Sequence, residues 1–200
     1  MVSQLRPAFV LLILFAALTG LVYPLAITGI AQAVFPRQAN GSLIEKNGTV
    51  IGSELIGQNF ADAKYFWPRP SATSDTDPAD ATKTVSSPYN AASSSGANKG
   101  PTSEDLMERL EETVGKLRGD AKEAKVPVDL ATASGSGLDP HISPEAARFQ
   151  ASRVAKARNL PEAQVSALIA ANTEGRDLGL LGEPRVNVLR LNLALDSVRR

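Results

Sequence analysis

The sequence predicts an α+β fold, with a single N-terminal transmembrane helix followed by one mixed α+β soluble domain. Three observations predict it. An uncharged apolar run extends from Ala8 to about Phe35, and an Asn-Gly pair stands between two short apolar stretches just beyond it. Segments of helical periodicity follow after residue 100 with no βαβ regularity.

The apolar run comes first. Between Arg6 and Arg37 no residue is charged, and only Thr19, Tyr23, Thr28 and Gln32 interrupt the apolar side chains. At roughly 1.5 Å rise per residue the run reaches about 40 Å, enough for the ~30 Å hydrocarbon core of a bilayer. Ala31-Gln32-Ala33 has the small-x-small form of a signal cleavage site. A signal peptide's apolar region, however, is typically about 7 to 15 residues, so the length favours an uncleaved anchor. Pro24 removes a backbone donor and predicts a kink, while Gly20, Gly29 and the alanines offer faces on which another helix could approach closely. The chain therefore divides into a short tail over residues 1–7, a transmembrane helix over 8–35 and a soluble domain over 36–200.

The soluble part is nearly neutral. Of the chain's 21 basic residues only Arg6 precedes it, and it holds all 21 acidic ones. Phosphate-backbone affinity needs an excess of Lys and Arg, so no nucleic-acid partner is expected; lipid around the anchor is. The chain has no cysteine, which removes disulfides, thiolate nucleophiles and Cys-ligated metals.

Beyond the anchor, Lys46-Asn47-Gly48 separates Ser42-Leu-Ile from Thr49-Val-Ile. Asn-Gly tolerates the two positive φ values of a type I′ turn, which predicts a β-hairpin. The stretch from Phe66 to Pro101 is rich in Pro, Ser, Gly, Asn and Asp and shows neither period. Its composition alone reads as disorder, but Tyr65, Phe66, Trp67 and Tyr89 at its borders point to an ordered loop pinned by aromatic packing. Thr102 with Asp105 reads as a capping pair for a helix carrying Leu106, Leu110, Val114 and Leu117 and running to about Ala124, weakened late by Gly115 and Gly119. Val126 to Thr132 reads as a strand, ended by Ser134-Gly-Ser-Gly137. Ser143 as N-cap and Pro144 open a helix through Arg158. Pro161 opens another, in which Val165, Leu168 and Ile169 share a face. The last segment fits either period; Leu, Ala and Arg with Asn187 as a fair N-cap favour helix.

Chemistry-bearing motifs are sparse. No Gly-x-x-x-x-Gly-Lys-Ser/Thr loop occurs, and Gly96-Ala-Asn-Lys-Gly-Pro lacks its spacing and hydroxyl, so no intrinsic nucleotide site is expected. His141 is the only histidine, and with Asp139 it falls short of a metal-ligand set. Ser134, Ser136, Asp139, His141 and Ser143 lie within ten residues, which raises the alternative of a membrane-anchored serine hydrolase using Ser136 or Ser134 with His141. Gly-x-Ser-x-Gly is absent, and Asp-Pro-His-Ile-Ser-Pro reads more plainly as a rigid turn feeding a Pro-capped helix. Trp67-Pro-Arg-Pro70 is open to two readings: a packed loop wall, or a rim that docks on a partner through Trp67 and Arg69.

Several blocks together resemble the C subunit of the Kdp potassium-transporting ATPase, the KdpC family. They are Gly57-Gln-Asn-Phe60, Tyr65-Phe-Trp-Pro-Arg-Pro-Ser-Ala72, Tyr89-Asn90, Val126 through Pro144, and Leu181-Gly-Glu-Pro-Arg-Val-Asn187. The resemblance spans nearly the whole chain and includes the single anchor. It implies an accessory subunit that is not itself an enzyme, in a complex with a channel-like, potassium-conducting A subunit, a P-type ATPase B subunit that hydrolyses ATP and a small F peptide. It also implies two roles: stabilising the assembly, and acting as a catalytic chaperone that raises the ATP affinity of the B subunit. ATP and potassium are thus expected through the complex, with no intrinsic cofactor, no catalytic residue and no metal site in this chain.

Flanking charge does not decide orientation, since Arg6 precedes the helix and Arg37 follows it. A short tail before an uncleaved, signal-like segment usually stays inside, so residues 36–200 are expected to be extracytoplasmic, periplasmic where an outer membrane exists. P-type nucleotide sites face the cytoplasm, so any effect on ATP affinity would then be allosteric, through helix packing. The expected docking residues are Tyr65, Trp67 and Arg69 of the aromatic-proline segment, with Asp139 and His141 of the Gly-rich turn.

Overall fold

A computed structural model describes residues 2–119 and 125–198. The chain forms two compact units, residues 1–51 and 52–200.

The first unit is built on the apolar run. Helix α1 (Leu5–Ala17) passes through a widened π-type turn (Leu18–Val22) into α2 (Tyr23–Val34), and the short α3 (Pro36–Ala39) follows. Leu5–Val34 is thus 30 residues of helix, long and apolar enough to cross a membrane. Its large apolar side chains are exposed all round, as expected of a helix whose solvent is lipid. The widened turn explains how Pro24 is tolerated. The Tyr23 amide reaches back five residues to the Leu18 carbonyl, so the ladder is already re-spaced where the proline ring would collide with the preceding turn. At the far end Gln32 and Asn40 exchange amide hydrogen bonds at 3.0 and 3.3 Å, and Asn40 also donates to the Pro36 carbonyl at 2.7 Å. Strands β1 (Leu43–Lys46) and β2 (Thr49–Ser53) then pair around Asn47 and Gly48, whose φ values of 53° and 75° are those the Asn-Gly signal predicts.

In the second unit, β3 (Ser74–Asp77) and β4 (Asp80–Ser86) form an antiparallel hairpin, followed by α4 (Glu104–Arg118) and the single turn α5 (Val128–Ala131). Around the core stand β5 (His141–Ile142), α6 (Pro144–Arg158), α7 (Glu162–Ala171), β6 (Thr173–Glu174), β7 (Arg185–Asn187) and α8 (Val188–Ser197). The three short strands make one antiparallel sheet in the order β5-β7-β6, with Ile142 and Thr173 both opposite Val186. Its buried face joins Val154 of α6, Val165 and Ile169 of α7, and Leu191 and Leu195 of α8. Burial of such side chains contributes on the order of 2 kcal/mol each and holds the helices against the sheet.

The helix ends follow the sequence. The Ser143 hydroxyl accepts from the Ala146 amide at 3.0 Å with Pro144 in the first turn, and Asn187 accepts from the Arg190 amide at 3.1 Å. The C-terminal segment is therefore helix. Val165 and Ile169 are buried and Leu168 half-buried, as their spacing predicts.

Three expectations are corrected. Val126 to Thr132 holds a helical turn rather than a strand, because tertiary contacts override the β-branched residues. Leu130 turns into the core, and the Asp129 carboxylate receives the Ser143 amide at 2.7 Å and its hydroxyl at 3.2 Å. The Phe66 to Pro101 loop contains the β3–β4 hairpin, whose two faces are both largely polar and exposed, so no alternation marked it. The N-cap position of α4 is Ser103; Asp105 instead pairs with Lys99 at 2.6 Å. That helix carries Leu106, Leu110, Val114 and Leu117 as a half-buried stripe and ends at Arg118; the rest of its expected course, to Ala124, lies outside the described residues.

Candidate functional site

The aromatic-proline segment is held from both sides by side-chain amides. Phe66 is fully buried; its amide donates to Asn192 Oδ1 at 2.9 Å and its carbonyl accepts from Asn192 Nδ2 at 3.1 Å. The next residue repeats the pattern with α6. The Trp67 amide donates to Gln150 Oε1 at 2.8 Å, and Gln150 Nε2 donates to the Trp67 carbonyl at 3.1 Å. Two helices thus supply the hydrogen bonds a neighbouring strand would, which is how an extended segment with buried peptide groups is kept satisfied.

The half-buried Trp67 ring donates Nε1–H to the Asp62 carbonyl at 3.0 Å and is faced by the Arg153 guanidinium at 3.9 Å. Burial pulls Arg153 down to about 10, which leaves it protonated at neutral pH and available for this cation–π contact. Tyr65 belongs to a different group. Its hydroxyl donates to Asp196 Oδ2 at 3.1 Å, Arg158 lies 4.9 Å over its ring, and Phe60 packs against it at 5.4 Å between centroids.

Arg69, Asp139 and His141 do come together. Arg69 Nη1 donates to Asp139 Oδ2 at 3.0 Å, and Nη2 reaches the Ala133 carbonyl at 3.4 Å. Asp139 Oδ1 accepts the His141 backbone amide at 3.0 Å, with His141 Nδ1 at 3.6 Å. Burial works to raise the Asp139 carboxyl, but the hydrogen bonds from His141 and the Arg69 guanidinium outweigh it and hold the carboxyl below its ordinary value. Arg69 lines two hollows. One is a groove of about 760 Å³ that Trp67 also lines, together with Leu106, Leu110 and Leu117 of α4. The other is an open cleft of about 490 Å³ shared with Asp129, Asp139, His141, Glu183 and Arg185.

The Gly-rich turn is braced by hydrogen bonds to three successive carbonyls. The Ser71 hydroxyl donates to the Gly137 carbonyl at 2.7 Å, the Ser95 amide and Ser94 hydroxyl both donate to the Ser136 carbonyl at 3.0 Å, and the Gly57 amide donates to the Leu138 carbonyl at 2.8 Å. Gly57 is required by close approach: a Cβ there would overlap the Tyr89 ring and lie 2.8 Å from the Asp139 carbonyl oxygen. Tyr89 itself adopts a left-handed φ of 62° and donates its hydroxyl to the Arg69 carbonyl at 2.8 Å; burial, with the Asp139 charge adding to it, pushes its phenol well above the ordinary value.

Among the described residues no hydrogen bond joins Ser134 or Ser136 to His141. Ser136 Oγ accepts the Leu138 amide at 3.1 Å, Ser134 is buried, and the Ser143 hydroxyl is spent on Asp129 and the helix cap. The geometry is that of a braced turn ending in a capped helix, with Asp139 and Ser143 each satisfying a backbone amide, rather than of a nucleophile and base. Asp129, Glu183 and Arg185 are cleft residues that motif reading passed over. The signal was present, since they lie inside the Val126–Pro144 and Leu181–Asn187 blocks, but nothing in sequence places those blocks side by side.

Residues 5–197 match the family model described as the K+-transporting ATPase, c chain, KdpC. The chain is 66% identical over 196 residues to the potassium-transporting ATPase KdpC subunit of Bradyrhizobium diazoefficiens, covering 98% of each chain. It is 64% identical over 200 residues to the subunit of that name from Rhodopseudomonas palustris strain BisB5, covering all of both chains. To the one from Methylorubrum extorquens it is 60% identical over 195 residues, 98% of this chain and 97% of the other.

Proposed function

Because the chain belongs to the KdpC family, the c chain of the K+-transporting ATPase, we propose that it is an accessory subunit of an ATP-driven potassium importer that stabilises the assembly and raises the ATP affinity of the ATPase subunit. The observation that carries this reading is the match over residues 5–197, which takes in the apolar helix and the folded domain alike. Its partners are a potassium-conducting A subunit, an ATP-hydrolysing B subunit and a small F peptide. The helix anchors the chain in the cell membrane with residues 1–7 cytoplasmic and residues 36–200 outside. In that orientation the domain cannot touch ATP, and its effect on nucleotide affinity passes through the anchor as a coupling between sites. The widened turn at Leu18–Val22 gives that helix a non-uniform backbone at which such a coupling could act.

On the outer side the proposed docking surface is the aromatic-proline segment with the Gly-rich turn, joined by the Arg69–Asp139 ion pair. Support comes from bracing: the peptide groups of Phe66, Trp67 and Gly137 are held by the side chains of Asn192, Gln150 and Ser71 from distant parts of the domain, and the His141 amide by the neighbouring Asp139, so the surface costs little to order on binding.

Deletion of the chain tests the proposal, with loss of assembly or of potassium uptake expected. Uptake of unchanged affinity by purified A and B subunits alone would show it wrong. Protease added to right-side-out vesicles should trim residues 36–200; protection there, with cleavage only in inverted vesicles, would restore a direct contact with the nucleotide site.

A further inference from the structure

Residues 174–185 form a closed loop whose charged side chains are all paired, mostly with one another; Glu174 also accepts from Arg190 of α8 at 3.2 Å. Arg176 donates to both oxygens of Glu183 at 3.0 and 2.8 Å. Arg185 donates to Asp177 at 3.3 and 3.4 Å and to Glu174 at 3.2 Å. Asp177 and Leu181 exchange backbone hydrogen bonds of 2.9 Å in both directions, closing the turn. At its tip Leu178, Leu180 and Leu181 are 92%, 81% and 62% exposed. Single exposed leucines are ordinary, but three within four residues on a braced turn are not. Leu178 moreover sits at φ 54°, where glycine or asparagine would be less strained; the turn presents this side chain rather than hiding it.

We propose that Leu178, Leu180 and Leu181 are an apolar wedge that inserts into an uncharged, apolar recess on an extramembrane surface of another chain of the same transporter. This rests on the accessory-subunit reading above. The recess is uncharged because the tip carries no charge and every charge at its base is paired, Arg176 with Glu183, Arg185 with Asp177 and Glu174, and Glu174 also with Arg190 of α8. A bilayer surface is the poorer fit, since loops that bind lipid combine apolar tips with free Lys or Arg and aromatic residues; here both arginines are spent on carboxylates and no aromatic lies in 174–185. A second copy of this chain fits poorly as well. Stable association takes about 800 Å² from each partner, more than three leucines provide. A chain already gathered into the same complex meets the wedge at high effective concentration and needs no larger patch. The wedge also adjoins the described cleft: Glu183, Pro184 and Arg185 line it, as does Val128, which is 73% exposed.

The test uses the whole complex, purified from membranes through a tag on another of its chains. The triple variant Leu178→Ser, Leu180→Ser, Leu181→Ser should keep the unfolding midpoint of the unsubstituted chain and be retained at least tenfold less. In parallel, a photo-crosslinking amino acid in place of Leu180 should label another chain of the transporter. Labelling of lipid alone, of a second copy alone, or of nothing overturns the wedge, as does unchanged retention of the triple variant. If the unsubstituted chain is not retained either, the accessory-subunit reading itself falls and the wedge falls with it; retention of the unsubstituted chain isolates failure to the wedge.

Discussion

Gln150 and Trp67 exchange two hydrogen bonds across 83 residues of chain, the Trp67 amide donating to Gln150 Oε1 at 2.8 Å and Gln150 Nε2 donating back to the Trp67 carbonyl at 3.1 Å. Gln150 Oε1 also accepts from Arg153, the residue whose guanidinium covers the tryptophan ring, so one side chain of α6 sets both the backbone and the stacking partner of Trp67.

Replacing Gln150 with Leu keeps much of the volume but leaves the Trp67 amide and carbonyl without their partner. Each such group costs about 1–3 kcal/mol, so a destabilisation of about 3 kcal/mol is expected. Trp67 is the only tryptophan, and its fluorescence during denaturant unfolding reads this loss directly. An unchanged midpoint would show that the clamp is energetically idle.

Trp67→Ala leaves the backbone clamp in place and removes the ring from the wall of the groove and from Arg153. Truncating an aromatic anchor at an interface costs about 2 kcal/mol or more, so subunit association should weaken while potassium selectivity in the remaining complexes stays unchanged. Pull-down and transport measurements decide it. Normal association would confine the ring to a packing role, and altered selectivity would assign it a filtering one.

The Asp139 carboxyl is depressed in the folded chain by His141 and Arg69 despite burial. A depressed carboxyl stabilises the fold fully above its ordinary value of 3.8, and that contribution disappears as pH falls through the folded value. Asp139→Asn takes the charge from the hydrogen bonds that Arg69 and the His141 amide make to this side chain, and should cost about 1.5–3 kcal/mol at neutral pH. The gap between the two proteins should close only under acid conditions, below that ordinary value. A gap that closed between pH 5 and 8 would mean that a different group carries the effect.

His141→Ala should leave potassium uptake within a few fold of the unsubstituted chain, because the hydroxyls of Ser134, Ser136 and Ser143 make no hydrogen bond to the imidazole. If His141 were a general base in a hydrolytic site, its removal would instead lower the rate by orders of magnitude, which uptake assays in reconstituted vesicles would detect at once.

How much of this was legible beforehand can be judged element by element. The apolar helix, the Asn47-Gly48 hairpin, the Ser143 and Asn187 caps and the helical C-terminus depend on neighbours within a few residues, where composition, φ preference and periodicity act directly, and the sequence alone determined them. The block resemblance carried the family for the same reason, since identity of residues needs no geometry. The turn at Val128–Ala131 and the β3–β4 hairpin were decided at longer range. Leu130 enters a core built mostly by residues downstream of it, with Phe66 from upstream, Asp129 meets Ser143 across 14 residues, and the hairpin buries neither face, so no period records it. The site is the extreme case. Arg69 and Asp139 stand 70 residues apart, and Trp67 meets Gln150 only after α6 has packed, so their pairing exists in the tertiary structure and in no local pattern. Such contacts follow from burial: once Phe66 enters the core, the peptide groups beside it must find donors and acceptors, and only the packed helices can supply them.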